Sequence, residues 1–199
     1  MTIGVISAMD SEHRQLAERL QEKKVTGDGN FRYAEGMLGG NRLVLTQCGI
    51  GKVSAAVGAA ELIRRFTPDC VVSTGVAGGI DACLKVTDVV VSESLAYHDV
   101  WCGEGNEYGQ IQGLPARFVS DKKLYEQALS VKHDGNVYGG LICSGDRFVT
   151  EKEELTEIKK RFPEGLAVDM ESTAIAQVCY LCGVPFLSYR IISDTPGVK

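Results

Sequence analysis

Residues 70–79 read Cys70-Val-Val-Ser-Thr-Gly-Val-Ala-Gly-Gly79. The first half is short, apolar and β-branched, the pattern of a strand buried on both faces. It runs into Gly75–Gly79, a glycine-bearing segment that reads as a turn at the carboxyl end of that strand. Just upstream, the alanine-rich stretch from Gly51 to Phe66 reads as a helix. A helix feeding a buried strand is the repeating unit of a parallel sheet.

Working outward, the same alternation continues. Thr2 to Ser7 is a first strand, and Ser11 to about Lys23 a helix with Leu16 and Leu20 on one face. Phe31–Leu38 and Arg42–Cys48 form a hairpin across Gly39-Gly40. Beyond Gly79 come strands at Asp88–Glu93, Val137–Cys143, Leu166–Asp169 and Pro185–Ile192. Helices are predicted at Asp121–Val131, Glu151–Phe162 and Met170–Cys182. This order predicts an α/β fold, its mostly parallel sheet covered on both faces and made mixed by the early hairpin. Tyr97 to Arg117 is long and glycine-bearing, the length of a binding loop, lid or interface.

The chain has 199 residues, which suits one domain spanning 1–199 with a core that needs no disulfide or metal. The net charge of -5 disfavours a nucleic-acid partner, which calls for a basic face. Lys159-Lys160-Arg161, the densest basic run, reads as a solvated helix end. No apolar run is long enough to span a bilayer, and Met1–Ser7 lacks the features of a secretory signal. Seven dispersed cysteines fit reduced thiols in a cytoplasmic protein. Cys179 and Cys182 have CxxC spacing inside a helix and read as buried thiols.

Ligands of open α/β sheets gather beyond the carboxyl ends of the strands. At that rim the sequence places Ala8-Met-Asp-Ser-Glu12, Gly49-Ile-Gly-Lys52, Gly75–Gly79, Ser144-Gly-Asp-Arg-Phe-Val149, Asp169-Met-Glu171 and Ser193-Asp194. Carboxylates and glycine turns thus converge. Singly, each is an ordinary turn or helix cap. No phosphate-loop or dinucleotide spacing is present, no Gly-x-Ser-x-Gly elbow occurs, and His13 and His98 read as structural. The widely separated histidines give no metal-ligand spacing, so neither metal nor cofactor is expected.

Taken in order, the motifs carry a resemblance. Gly4-Val-Ile-Ser-Ala-Met-Asp-Ser-Glu12, Cys48-Gly-Ile-Gly-Lys-Val-Ser-Ala-Ala56 and Thr74–Gly79 are similar to segments of the 5′-methylthioadenosine/S-adenosylhomocysteine nucleosidases. So are Tyr97-His-Asp99, Glu107-Tyr-Gly-Gln110, Ser144–Phe148, Val168-Asp-Met-Glu171 and Arg190-Ile-Ile-Ser-Asp194. The likeness runs from Met1 to Asp194. It implies the nucleoside phosphorylase-like fold, a three-layer α/β/α sandwich. The implied reaction is hydrolysis of an N-glycosidic bond, releasing adenine in nucleoside catabolism and methionine salvage.

By the same resemblance, Asp194 is the general acid toward adenine N7, helped by a closed apolar pocket, with Ser193 and Arg190 supporting it. Glu12 holds and activates the water, and Glu171 accepts from the ribose hydroxyls with Asp169 beside it. Met170 packs on the ribose. Phe148 stacks on adenine and the Val149 backbone reads the base edge. Met9 and Ile50 line the sugar and the 5′-alkylthio end, and the Ala77 and Gly78 backbone closes the back. The partners implied are a nucleoside, water and a second copy of the chain; the long Tyr97–Arg117 segment, carrying Trp101, Tyr108, Ile111 and Leu114, independently reads as the contact surface of a homodimer.

Three departures stand out. Val76 occupies a position that can be serine, Asp169 one usually written glutamate, and the family's further C-terminal helix is expected to be missing. The nearest rival is a phosphorylase of the same fold, disfavoured because phosphate needs a cationic cradle. Two further readings stay open: hydrolysis of another adenosyl nucleoside, such as an aminodeoxyfutalosine, and a non-catalytic nucleoside-binding relative.

Overall fold

The computed structural model describes residues 1–195. Strand β1 (Thr2–Ser7) lies between β4 (Asn41–Gln47) and β5 (Cys70–Gly79), parallel to both. Its side chains alternate between two cores. Val5 packs with Ala17 and Leu20 from the α1 region (α1, Asp10–Ala17), whereas Ile6 packs with Ala59 and Leu62 of α2 (Lys52–Phe66). The same two-residue period separates Ile142 of β8 (Val137–Ser144) from Leu141 and Cys143. Helices α2 and α5 (Ser172–Cys182) thus cover one face. α1, α3 (Lys122–Leu129) and α4 (Lys152–Arg161) cover the other, giving three layers.

The sheet is ten-stranded and mixed. Five of its pairings are parallel and five antiparallel among the described residues. The element order alone suggests an open sheet. Instead β10 (Phe186–Asp194) pairs with both β5 and β6 (Val89–Tyr97). β6 continues through β8 and β9 (Gly165–Asp169) back to β5, so these five strands close a ring of pairings. β5 runs on past its pairing with β1, beside β10 as far as Gly78, and meets β9 at Gly78 and Gly79, so Gly75–Gly79, expected as a turn, is strand. Ser193 and Asp194, expected past the last strand, are its final residues, after a register shift between Ile192 and Asp194.

The first helix also differs. It stops at Ala17, and Gln21–Asp28, partly assigned to it, is strand β2, paired antiparallel with β3 (Phe31–Leu38). Gln21-Glu-Lys-Lys24 has helix-forming composition, but this exposed edge strand is set by its partner's free hydrogen-bonding edge. Gly29-Asn30, the two-residue loop between the paired Asp28 and Phe31, supplies the turn residues of a tight hairpin.

Between β6 and the two-residue β7 (Phe118–Val119), the chain has no regular structure but is pinned by its own bonds, Gly109 N to Val100 O at 2.9 Å and Gln110 Nε2 to Leu114 O at 2.8 Å. Of the four side chains expected to form an exposed contact, Ile111 and Leu114 pack on the main core. Tyr108 lies against Phe162, with the Arg161 guanidinium 3.7 Å above its ring. Trp101 alone of these is prominently exposed. Cys182, expected to be buried with Cys179, faces out. No helix among the described residues is long and apolar enough to cross a membrane.

Candidate active site

One cavity lies at the ends of β1, β5, β9 and β10, bounded by the turn before α2 and the segment after β8. Every site residue named from the sequence lines it. Met9 and Glu12 come from the α1 start, Ile50 from the turn, and Ala77 and Gly78 from β5. Phe148 and Val149 follow β8, Asp169, Met170 and Glu171 close β9, and Arg190, Ser193 and Asp194 come from β10. Val76, noted above only as a departure, also lines it, as do Ala8, Arg147 and Val168, which were not singled out. All but Val168 sit inside the quoted rim segments, so proximity to the named residues was the only signal.

Glu12 is held from two elements. Met9 N donates to Oε2 at 3.0 Å, the reciprocal half of the α1 cap, and Val76 N donates to Oε1 at 3.0 Å. Gly75 makes this approach possible. Its φ is +153°, and a Cβ there would lie 2.5 Å from both Glu12 Oε1 and Arg190 Nη1.

Asp169 and Arg190 form a buried ion pair, Nε to Oδ2 at 2.9 Å. Asp169 also accepts from Ser144 Oγ at 2.5 Å and from the Ser172 hydroxyl, and Arg190 Nη2 donates to Ser73 Oγ at 2.8 Å. The carboxylate is thus occupied by protein groups, as a buried charge must be. Arg190 was expected to support Asp194. Its guanidinium instead reaches Asp169, Ser172 and Ser73, with Nη1 beside Gly75, because the β10 irregularity turns Asp194 away. Ser193 does reach Asp194, its hydroxyl donating to Oδ1 at 2.7 Å.

Glu171 is only 6% exposed and accepts from Gly51 N at 3.0 Å. Burial, followed by the nearby Asp169 charge, pushes its pKa up. Asp194 sits exposed at the rim rather than in a closed apolar pocket. Phe148 is 73% exposed over the opening, and Met9 and Ile50 form an apolar mouth. The two arginines of the cavity already have carboxylate partners, Arg190 with Asp169 and Arg147 with Glu154. His13 and His98 lie outside it, and burial lowers the pKa of both.

An apolar mouth, an exposed aromatic ring and carboxylates contributed by α1, the end of β9 and β10 suit a ligand with a flat heterocycle, a hydroxylated ring and an apolar tail. The chain belongs to the Phosphorylase superfamily, whose sequence model matches residues 2–198. It is 43% identical over 197 residues to the 5′-methylthioadenosine/S-adenosylhomocysteine nucleosidase of Haemophilus influenzae (strain PittGG), covering 98% of this chain and 86% of that one. Within the superfamily it is therefore one of the methylthioadenosine/S-adenosylhomocysteine nucleosidases. Among solved structures, the Neisseria meningitidis nucleosidase in complex with methylthio-immucillin-A superposes with a TM-score of 0.94 at 46% identity, over 98% of this chain and 86% of that one. The Colwellia psychrerythraea nucleosidase in complex with adenine gives 0.93 at 41% identity, over 98% and 83%.

Proposed function

We propose that this chain hydrolyses the N-glycosidic bond of 5′-methylthioadenosine and S-adenosylhomocysteine, releasing adenine and the thioribose. The observation that carries the reading is the placing of Glu12, Glu171 and Asp194 around one cavity whose arginines are already neutralised. Breaking C1′–N9 leaves the sugar cationic and the base anionic. Asp194, supported by Ser193, delivers its proton to adenine N7. Water adds to C1′, and its proton passes to Glu12, which Val76 N and Met9 N hold in place. Glu171 accepts from the ribose hydroxyls and its charge favours the cationic sugar.

Phe148 stacks on adenine, the Val149 backbone reads the base edge, and Ala77 and Gly78 close the back. Met170 packs on the ribose, and Met9 and Ile50 take the 5′ group. Asp169 and Arg190 act through position rather than by touching substrate. The reaction belongs to methionine salvage in the cytoplasm, and the working unit is a homodimer. It is tested by adenine release from methylthioadenosine in phosphate-free buffer. Free thioribose is the expected product. A phosphate requirement with a ribose 1-phosphate product would overturn the hydrolase reading in favour of a phosphorylase.

A further inference from the structure

The segments that carry the ribose and adenine contacts leave three different strands, yet one set of charges outside the cavity ties them together. Lys52 opens α2, whose Gly51 N-cap has no side-chain oxygen and whose first turn holds no acidic residue. The missing cap comes from another strand end: Asp146 Oδ1 accepts from Lys52 N at 2.7 Å. Asp146 is itself held by Asp99, whose Oδ2 accepts from Asp146 N at 2.8 Å. Lys52 Nζ closes the loop, donating to Asp99 Oδ1 and Oδ2 at 3.0 and 2.9 Å, with the Tyr97 ring centre 5.3 Å away.

None of these three residues lines the cavity, but Lys52 and Asp146 each lie two residues from one that does, Ile50 and Phe148. Gly51, adjacent to Lys52, donates the 3.0 Å hydrogen bond to Glu171, and Phe148 lies two residues past Asp146. Gly51 has φ +93°, and a Cβ there would come within 3.0 Å of Asp146 Oδ1, so the turn and the Asp146 segment are in close contact. Lys52 and Asp99 side chains are 25% and 27% exposed, and a pair so placed adds little to global stability.

We propose that Lys52, Asp99 and Asp146 are positioning residues that aim the Gly51 amide at Glu171 and set the Phe148 segment over the base. Recognition of the ribose hydroxyls thus depends on a charge network that touches no substrate atom. It links the segment after Tyr97 to the sugar site, and it rests on the reading of Glu171 as the ribose carboxylate.

The test compares kcat/KM for methylthioadenosine with its 2′- and 3′-deoxy analogues in the parent, Glu171→Gln, Asp99→Asn, Lys52→Met and Lys52→Arg enzymes. The ratio of ribo- to deoxy-substrate reads how well Glu171 is held. Glu171→Gln collapses it. Asp99→Asn and Lys52→Met reduce it about tenfold, as a misplaced binding group does, with little change in thermal midpoint, and Lys52→Arg recovers most of it. Asp99→Asn, nearly isosteric, carries the test if Lys52→Met does not fold. A parent-like ratio in Asp99→Asn, with the ratio collapsed in Glu171→Gln, overturns the positioning role alone. A parent-like ratio in Glu171→Gln overturns the ribose reading, and the proposal with it.

Discussion

Glu12 Oε1 accepts a hydrogen bond from the backbone of Val76, 64 residues further along the chain, at 3.0 Å. The contact joins the first turn of α1 to the far end of β5. It gives the carboxylate a fixed direction, as a general base toward a single water needs.

Replacing Glu12 by Gln or Asp194 by Asn lowers kcat while leaving nucleoside binding largely intact. General acid or base work is worth about a hundredfold to ten-thousandfold. Adenine release gives kcat, and titration with a non-hydrolysable analogue gives binding. Near-parent turnover in Asp194→Asn would remove that residue as the acid.

Gly75→Ala forces a methyl into the space shared by Glu12 Oε1 and Arg190 Nη1, at a φ of +153° that an L side chain rarely adopts. Misalignment of this kind costs about tenfold or more in kcat/KM. Retention of parent activity in a folded Gly75→Ala enzyme would show that the approach of β5 does not position Glu12.

Arg190→Met leaves Asp169 buried beside its hydroxyl partners without its cation. Stranding one charge of a buried pair costs about 3–5 kcal/mol. Replacing both residues by apolar ones should cost much less than the sum of the single changes, because no charge is then left unpaired. Urea unfolding of the single and double variants measures this, and strict additivity would argue against the pair as a unit.

Glu171 has a pKa raised mainly by burial. The sign follows: its protonated form suits the fold better than its charged form. Its contribution to stability is therefore fully present below the unfolded value and is lost as pH rises through the folded one. Activity runs the other way, since accepting ribose hydroxyls needs the charged form. The acid limb of kcat/KM should lie above the ordinary Glu value of about 4.3 and move in Glu171→Gln. That variant should be at least as stable as the parent at pH 7. A limb unchanged in Glu171→Gln would assign it to another group.

The expected homodimer now rests on Trp101, 57% exposed and stacked on Tyr108 at 6.1 Å between ring centres. Aromatic side chains are enriched at contact surfaces. Trp101→Ala should shift sedimentation at micromolar concentration toward monomer and weaken binding at the 5′ end. A fully active monomeric parent would remove the partner from the mechanism.

Local pattern was enough for much of this protein. Thr2–Ser7, Val137–Ser144 and the helix beginning near Gly51 carry periods and breakers that decide their own conformation, and the rim segments could be placed because ligands gather at strand ends. Burial and partner choice were not local. Gln21–Asp28 is a strand because β3 has a free edge, and Gly75–Gly79 is extended because β10 pairs along it and β9 meets its end. Arg190 faces Asp169 rather than Asp194 because one irregularity in β10 changes which way its last residues point. Residue types and spacing name the groups that do chemistry. Which group holds which is decided by contacts between segments far apart in the chain, and only the folded sheet brings those into register.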